Sequence, residues 1–166
     1  MLVACAAAGL AVRPLLLPRV YDLALLLALL LQGVGEASGA YDSYAWFDRV
    51  VHVSLPLLTS GVLYVWLARL DVLPDPRDET HWRHHLGIAV VTFSFGAGLG
   101  AVWELVEWLS DATVGTALQE GNDDTVGDLA ADCVGTLAAA ALLVLWTVRG
   151  WGSVRRIPGT HEEGLD

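Results

Sequence analysis

Four long apolar stretches alternate with short polar segments along the chain. The stretches cover residues 20–35, 47–70, 86–110 and 127–150. A helix of about 20 apolar residues spans the hydrocarbon core of a bilayer, so each stretch is predicted to be a transmembrane helix. A shorter apolar segment at 2–12 predicts only a short or truncated first helix.

This pattern predicts an all-α protein, a polytopic membrane helix bundle. Residues 1–152 are expected to form a single transmembrane domain, followed by a polar cytoplasmic tail at 153–166. The polar segments at 36–46, 71–85 and 111–126 are predicted to be the loops between the helices.

Composition supports a membrane protein. Apolar residues make up 55% of the chain and charged residues 17%, with a mean hydropathy of +0.53; the apolar share exceeds that of ordinary soluble domains. The net charge of −10 argues against a nucleic-acid partner, which requires a basic surface. Cys5 and Cys133 lie far apart in apolar stretches, so they predict neither a disulfide framework nor a C-x-x-C metal pair.

The arginines predict the orientation. Cytoplasmic flanks of membrane helices are enriched in Arg and Lys. Eight of the nine basic residues fall on one side of the membrane if residues 36–46 and 111–126 face outward, and Arg49 is the exception. We therefore expect a multi-pass protein of a prokaryotic inner membrane, with the C-terminus in the cytoplasm and membrane lipid as its surroundings.

Ionisable side chains gather at the outward ends of three predicted helices. Residues four apart share a helix face, and one turn advances about 5.4 Å. Two stacked layers are therefore expected, each with one side chain from each helix. The upper layer contains Asp48, Glu107 and Asp128, the lower layer contains His52, Glu104 and Asp132, and Asp124 lies one turn above Asp128.

Helix capping explains part of this pattern without any function. Acidic residues near a helix start stabilise its dipole and its free N–H groups, which accounts for Asp123, Asp124 and Asp128. Capping does not account for Asp132, two turns into its helix, or for Glu104 near a helix C-terminus, where the dipole disfavours an acid. A carboxylate facing lipid costs roughly 2.5 to 3.5 kcal/mol. These acids must therefore face inward and be either protonated or compensated by a cation.

Carboxylates with one imidazole suit a divalent cation: Mg²⁺, Mn²⁺, Ca²⁺ or Zn²⁺. The predicted metal ligands are Glu104, Asp128 and Asp132, and the further candidates are Asp48, His52 and Asp124. His52 and Glu107 are the candidates for a catalytic acid or base. A hydrogen-bonded structural histidine is an equally good interpretation of His52.

Small residues at a spacing of four predict close helix contacts. Gly96 and Gly100 share the face that continues to Glu104, and Ala131 and Gly135 repeat the spacing on the last helix. We expect these residues to support the site, and the same glycine-rich faces are a candidate contact for a homo-oligomer.

Two other motifs have simpler interpretations. Trp46, Trp103 and Trp108 flank the acidic residues, as expected of interfacial aromatic anchors. The HWRHH sequence at 81–85 matches the H-x-x-H-H histidine box of membrane desaturases, but five histidines are too few for the several boxes of such an enzyme. We interpret it as an interfacial loop, with metal binding as the alternative.

The order of the polar motifs is similar to that of a known family. Asp48-Arg49 is followed by His52, then by Glu104 with Glu107-Trp108, and then by GNDDTVGDLAADCVG at 121–135. This order resembles YjdF-like inner-membrane proteins and, more distantly, VanZ-like proteins, over about residues 20–148. The resemblance implies a small bacterial-type membrane protein of uncharacterised biochemical function, and the association of VanZ-like proteins with glycopeptide resistance suggests the cell envelope. Asp132 stands where VanZ-like members commonly have Asn.

Three functions agree with these features. The first is a metal-dependent enzyme that acts on a lipid or lipid-linked headgroup at the outer leaflet. The second is a proton or cation carrier, because intramembrane acids are typical of carriers; against it, only Asp22 provides an acid at the inner edge. The third is a non-catalytic envelope module in which the acidic cluster binds a partner or a structural ion.

Overall fold

The structure, a computed structural model, describes residues 19–76 and 82–149. These residues form five helices and contain no strand. The helices are α1 (Arg19–Ser38), α2 (Ala40–Ser43), α3 (Phe47–Arg69), α4 (Trp82–Val114) and α5 (Asn122–Val148).

All the helices except α2 are long and apolar enough to cross a membrane. The all-α, polytopic membrane bundle expected from the sequence is thereby confirmed. The short first helix predicted at 2–12 and the tail at 153–166 lie outside the described residues, and the domain boundary at 152 stays a prediction.

Three helices are longer than the sequence predicted, and the first is α1, which covers Arg19–Ser38 instead of 20–35. The 71–85 segment was expected to be a loop, but α4 begins at Trp82 and extends to Val114. The prediction was wrong there because a helix tolerates Arg and His in a solvated first turn as well as a loop does. Helix α5 begins at Asn122 instead of 127, since Asp123 and Asp124 in its first turn stabilise the start of the helix.

Successive long helices run in opposite directions. At one end of the bundle, His52 near the start of α3 meets Asp132 near the start of α5. Near the other end, Val65 late in α3 packs with Ile88 early in α4 and Leu143 late in α5. Helix α4 is therefore antiparallel to both α3 and α5. We call the end that contains His52 the site end.

Helix α5 is the centre of the packing, because α3 and α4 both pack against it, while α1 packs mainly on α3. The apolar core lies toward the end opposite the site. Its buried members are Val62, Tyr64, Val65, Ala68, Ile88 and Leu143. Large apolar side chains cover the outside of the long helices, as expected of a surface in contact with lipid, and Leu99, Leu105, Leu137 and Leu142 are among them.

Glycines allow the three central helices to approach closely. A Cβ atom at Gly96 would collide with the hydroxyls of Ser60 and Thr136, and one at Gly135 would collide with the Val53 carbonyl oxygen. The glycine faces predicted from the sequence are therefore contact faces within the chain. Gly98, by contrast, has open space around it. The homo-oligomer expected through the glycine-rich faces stays a prediction.

The corner between α1 and α3 is held by aromatic packing. The Tyr41 hydroxyl donates a hydrogen bond to Gln32 Oε1 at 2.7 Å, and its ring packs edge-on against Phe47 with centroids 5.0 Å apart. Burial raises the pKa of Tyr41 to about 12, so its hydroxyl keeps its proton at neutral pH. This corner fixes where α3 begins and hence where its first polar side chains lie.

Candidate functional site

His52 lies at the centre of the polar groups at the site end. Its Nδ1 is 3.1 Å from Asp132 Oδ1 on α5, and its Nε2 is 3.9 Å from Glu104 Oε1 on α4. All three side chains are buried. The structure thus brings together the three residues that the sequence assigns to the lower layer.

Three carboxylates and one arginine lie above His52, toward the open end of the site. Asp48 Oδ1 is 3.7 Å from His52 Nε2. Arg49 Nε is 3.3 Å from Asp128 Oδ1, and Arg49 Nη2 is 3.7 Å from Asp124 Oδ1. Arg49, the exception among the arginines, therefore pairs with two of the acids on α5.

Gly127 allows this pairing. A Cβ atom at that position would collide with the Arg49 guanidinium. The arginine side chain thus lies across the first turns of α5, where only a glycine leaves room for it. This contact could not be predicted from the sequence, because it depends on the position of the neighbouring helix.

Glu107, assigned to the upper layer from the sequence, is bonded within its own helix. It is half-buried, and its Oε1 accepts a hydrogen bond from Trp103 Nε1 at 2.7 Å. Trp103 therefore has a polar partner in addition to the interfacial position expected of it. Trp46 and Trp108 are exposed, at 60% and 58%, as interfacial anchors should be.

Three of the candidate ligands have donor atoms close enough to share an ion. Donor atoms of Asp48, His52 and Asp128 all lie within 4.8 Å of one another. Of the three ligands predicted first from the sequence, Glu104, Asp128 and Asp132, only Asp128 is in this group. The assignment of ligands stays a prediction.

Buried oxygens border the same group. Glu104 Oε1 and Asp132 Oδ2 have no hydrogen-bond partner among the described residues, and Asp128 Oδ1 has only its ion pair with Arg49. Buried polar atoms are nearly always bonded. These oxygens are therefore ready to bind a further group.

A short loop covers the site next to Glu104. Gln119 Nε2 donates to the Glu104 carbonyl oxygen at 3.2 Å and to Thr125 Oγ1 at 3.1 Å. Asp111 holds the loop by accepting hydrogen bonds from Thr116 Oγ1 at 2.6 Å, Leu118 N at 2.9 Å and Gln119 N at 3.0 Å. Sequence reasoning missed Gln119, because no periodic pattern marks a polar residue in a loop.

The histidine motif lies away from this site. His84 and His85 are in the first turn of α4, at the end of the bundle opposite the site, and His81 lies outside the described residues. His84 and His85 are therefore not part of the acidic group.

Comparison with known proteins identifies the family of the chain. Neither a comparison with curated proteins nor one with solved structures found a significant match. A family described as "Predicted membrane protein (DUF2238)" matches residues 1–149, which include every described helix. The chain belongs to this family of predicted membrane proteins, DUF2238.

Proposed function

We propose that the site binds a divalent cation and uses it in chemistry on a phosphate-bearing lipid or lipid-linked headgroup. Asp48, His52 and Asp128 are the proposed ligands, and Glu104 is a fourth donor beside them. The single observation that carries the proposal is the contact between Asp132 Oδ1 and His52 Nδ1 at 3.1 Å.

This contact orients the imidazole for a metal ion. When Nδ1 donates its proton to a carboxylate, Nε2 keeps its lone pair, as in the carboxylate–histidine–metal arrangement of many metal sites. His52 Nε2 faces Asp48 Oδ1 at 3.7 Å and Glu104 Oε1 at 3.9 Å. Asp132 would thus be an orienting residue instead of the ligand expected from the sequence.

The balance of charge also favours a cation. Arg49 and the neutral imidazole of His52 face the carboxyl groups of Asp48, Glu104, Asp124, Asp128 and Asp132, so one permanent positive charge stands against five acids. Burying an uncompensated carboxylate is costly. A divalent ion would neutralise two of these groups and bind Glu104 Oε1, which is buried with no hydrogen-bond partner among the described residues.

The donor set narrows the choice of metal. Mg²⁺ and Ca²⁺ prefer oxygen ligands alone, whereas an imidazole with carboxylates suits Mn²⁺ and Zn²⁺ better. Among the four ions expected from the sequence, Mn²⁺ and Zn²⁺ are therefore preferred.

The proposed substrate follows from the surroundings of the site. Exposed Tyr44, Trp46 and Trp108 flank it, as aromatic residues do at the headgroup level of a membrane. Arg49 is 44% exposed beside the acids, and a guanidinium binds phosphate well. A bound cation would polarise a phosphoryl oxygen or activate a water molecule, and Glu107, half-buried nearby, is the remaining candidate for a general base.

Metal analysis of the full-length protein in detergent tests the cation. The parent protein, an Asp48→Asn/Asp128→Asn variant and an Asp123→Asn control are dialysed against MnCl₂ or ZnCl₂ and measured by mass spectrometry. Asp123 is exposed in the first turn of α5, so it controls for loss of charge at the same end. Near-stoichiometric metal in the parent and the control, but not in the double variant, is expected. Equal metal in all three would overturn the proposal.

Turnover is tested separately. The metal-loaded protein is placed in vesicles that contain phosphatidylglycerol and a polyprenyl pyrophosphate, and phosphate release and new lipid species are measured. Products that form with the parent but not with the double variant would support an enzyme. A bound metal without turnover would favour the non-catalytic module with a structural ion.

One observation favours a non-catalytic role. Arg49 already pairs with Asp124 and Asp128, so a purely structural ion-pair network is the second candidate function. A carrier of protons or cations is less well supported, since the apolar cluster of Val62, Val65, Ile88 and Leu143 fills the half of the bundle opposite the site.

We also propose that the site end faces outward from a prokaryotic inner membrane, with the C-terminus in the cytoplasm. Arg19, Arg69, Arg83 and Arg149 lie at the ends of long helices opposite the site, and cytoplasmic flanks favour arginine. The resemblance to YjdF-like and VanZ-like proteins agrees with this location. Alkaline phosphatase fused at the C-terminus should be inactive, whereas an active fusion would reverse the orientation.

A further inference from the structure

A line of buried polar side chains continues from the site toward the middle of the membrane. Asp132 and Thr136 are one turn apart on α5 and face Gly100 and Gly96 on α4, respectively. Ser60 of α3 also faces Gly96. Thr92 lies one turn beyond Gly96 on α4. We call Asp132, Thr136, Ser60 and Thr92 the polar seam; its four members are 0 to 2% exposed.

Two hydroxyls of the polar seam differ from those elsewhere in the helices. Ser and Thr in a helix commonly satisfy their hydroxyl by donating to the carbonyl four residues earlier. Thr59, Ser94 and Thr147 do so, at 2.7 Å or 2.8 Å, and Ser60 does so at 2.6 Å. Thr92 Oγ1 and Thr136 Oγ1 make no hydrogen bond within residues 19–76 and 82–149.

Asp132 adds an acceptor to the same line. One of its carboxylate oxygens is bonded to His52, and the other, Oδ2, is buried with no hydrogen-bond partner among the described residues and points at Gly100. Three unsatisfied polar atoms therefore follow one another along the seam between α4 and α5. Each would lose the free energy of a hydrogen bond if nothing bound to it.

We propose that the polar seam holds a file of water molecules that extends from the site to the middle of the bilayer. Water provides both the donor that Asp132 Oδ2 needs and the acceptors that the Thr136 and Thr92 hydroxyls need. Buried waters characteristically bond to such otherwise unsatisfied groups. Two helical turns separate Asp132 from the level of Thr92, so the file is about 11 Å long.

The file ends inside the protein. Val62 and Val65 follow Ser60 on α3, Ile88 precedes Thr92 by one turn on α4, and Leu143 lies two turns beyond Thr136 on α5. All four belong to the buried apolar cluster. The polar seam is thus a half-channel that opens toward the site and is closed by apolar side chains. It fills with water from the site end and does not conduct across the membrane.

Cysteine accessibility tests this inference on the full-length protein in membranes. In a background with Cys5→Ala and Cys133→Ala, Thr136→Cys and Ser60→Cys are treated with methanethiosulfonate ethylammonium, which reacts with thiolates and therefore requires water. Leu137→Cys is the lipid-facing control, being adjacent to Thr136 and 63% exposed, and Leu143→Cys is the control in the apolar cluster.

The two seam cysteines are expected to react at least tenfold faster than both controls. Seam cysteines that react no faster than Leu143→Cys would overturn the inference. A Leu137→Cys variant that reacts as fast as the seam cysteines would also overturn it, because the reagent would then arrive from the lipid side. Thr136 and Ser60 face the same glycine from different helices, so either variant carries the test if the other fails to fold. The outcome is independent of the cation, since no metal is added.

Discussion

The side chains of His52 and Asp132 meet at 3.1 Å although 80 positions separate them in the chain. The contact joins α3 to α5, and both residues are buried. It determines which imidazole nitrogen faces the other carboxylates, and the chemistry proposed for the site depends on it.

Asp132→Asn should weaken binding of Mn²⁺ without removing a ligand. The amide oxygen of Asn accepts a weaker hydrogen bond from Nδ1–H than a carboxylate does, so the neutral imidazole is less firmly oriented. Loss of such a supporting carboxylate typically costs 10- to 100-fold in metal affinity, and a decrease of about that size is expected. Titration with Mn²⁺, followed by electron paramagnetic resonance, measures it. An affinity equal to that of the Asp123→Asn control would contradict the supporting role.

Arg49→Gln should strengthen binding of a divalent cation. The guanidinium is 3.3 Å from Asp128 Oδ1 and competes with a metal ion for that oxygen. Because Arg49 is 44% exposed, solvent screens the effect, and a gain of about 3- to 10-fold in Mn²⁺ affinity is expected. Arg19→Gln, the same change at the opposite end, should leave the affinity unchanged. A loss of binding in Arg49→Gln would argue for the structural ion-pair network instead.

Gly100→Ala should destabilise the bundle, whereas Gly98→Ala should not. A Cβ at position 100 would collide with the Asp132 carboxylate, and at position 98 it would meet open space. Overpacking of this kind costs about 1 to 3 kcal/mol, while the exposed substitution should change the stability by less than about 1 kcal/mol. Thermal unfolding in detergent distinguishes them: equal melting temperatures would mean that α4 and α5 are not packed closely at this level.

Asp111→Ala should release the loop between α4 and α5. The carboxylate of Asp111 accepts three hydrogen bonds from this loop, and the loop begins and ends at glycines with positive φ, Gly115 at 79° and Gly121 at 126°. Faster amide hydrogen exchange at Leu118 and Gln119 is expected. Glu120→Ala, an exposed acid in the same loop, serves as the control, and identical exchange in both variants would show that Asp111 does not hold the loop.

The fold could be predicted from the sequence because lipid leaves few alternatives. Every backbone group in the membrane must be bonded within the protein, so long apolar stretches become helices. Asp48 and His52 on one helix, and Asp128 and Asp132 on another, could be aligned by their spacing of four. Once the helices alternate in direction, these pairs lie at the same end of the bundle.

The contacts between helices could not be read from spacing alone. The position of Arg49 over Gly127 depends on the rotation of α3 against α5, which a single sequence does not specify. The same is true of Gln119, whose loop has no periodicity. The start of α4 was missed because a polar first turn resembles a loop when only hydropathy is considered.

Glu104 and Asp132 have a consequence for how the protein is made. Each lies in a separate membrane helix and is compensated mainly by groups from other helices. A helix that enters the bilayer alone with such an acid bears a penalty of roughly 2.5 to 3.5 kcal/mol. His52 on α3 is already present when α4 enters the membrane, but Gln119 and Thr125, which complete the surroundings of Glu104, follow only with the loop and α5. Biogenesis of this chain should therefore depend on α5, and a chain truncated before α5 should be recognised and degraded.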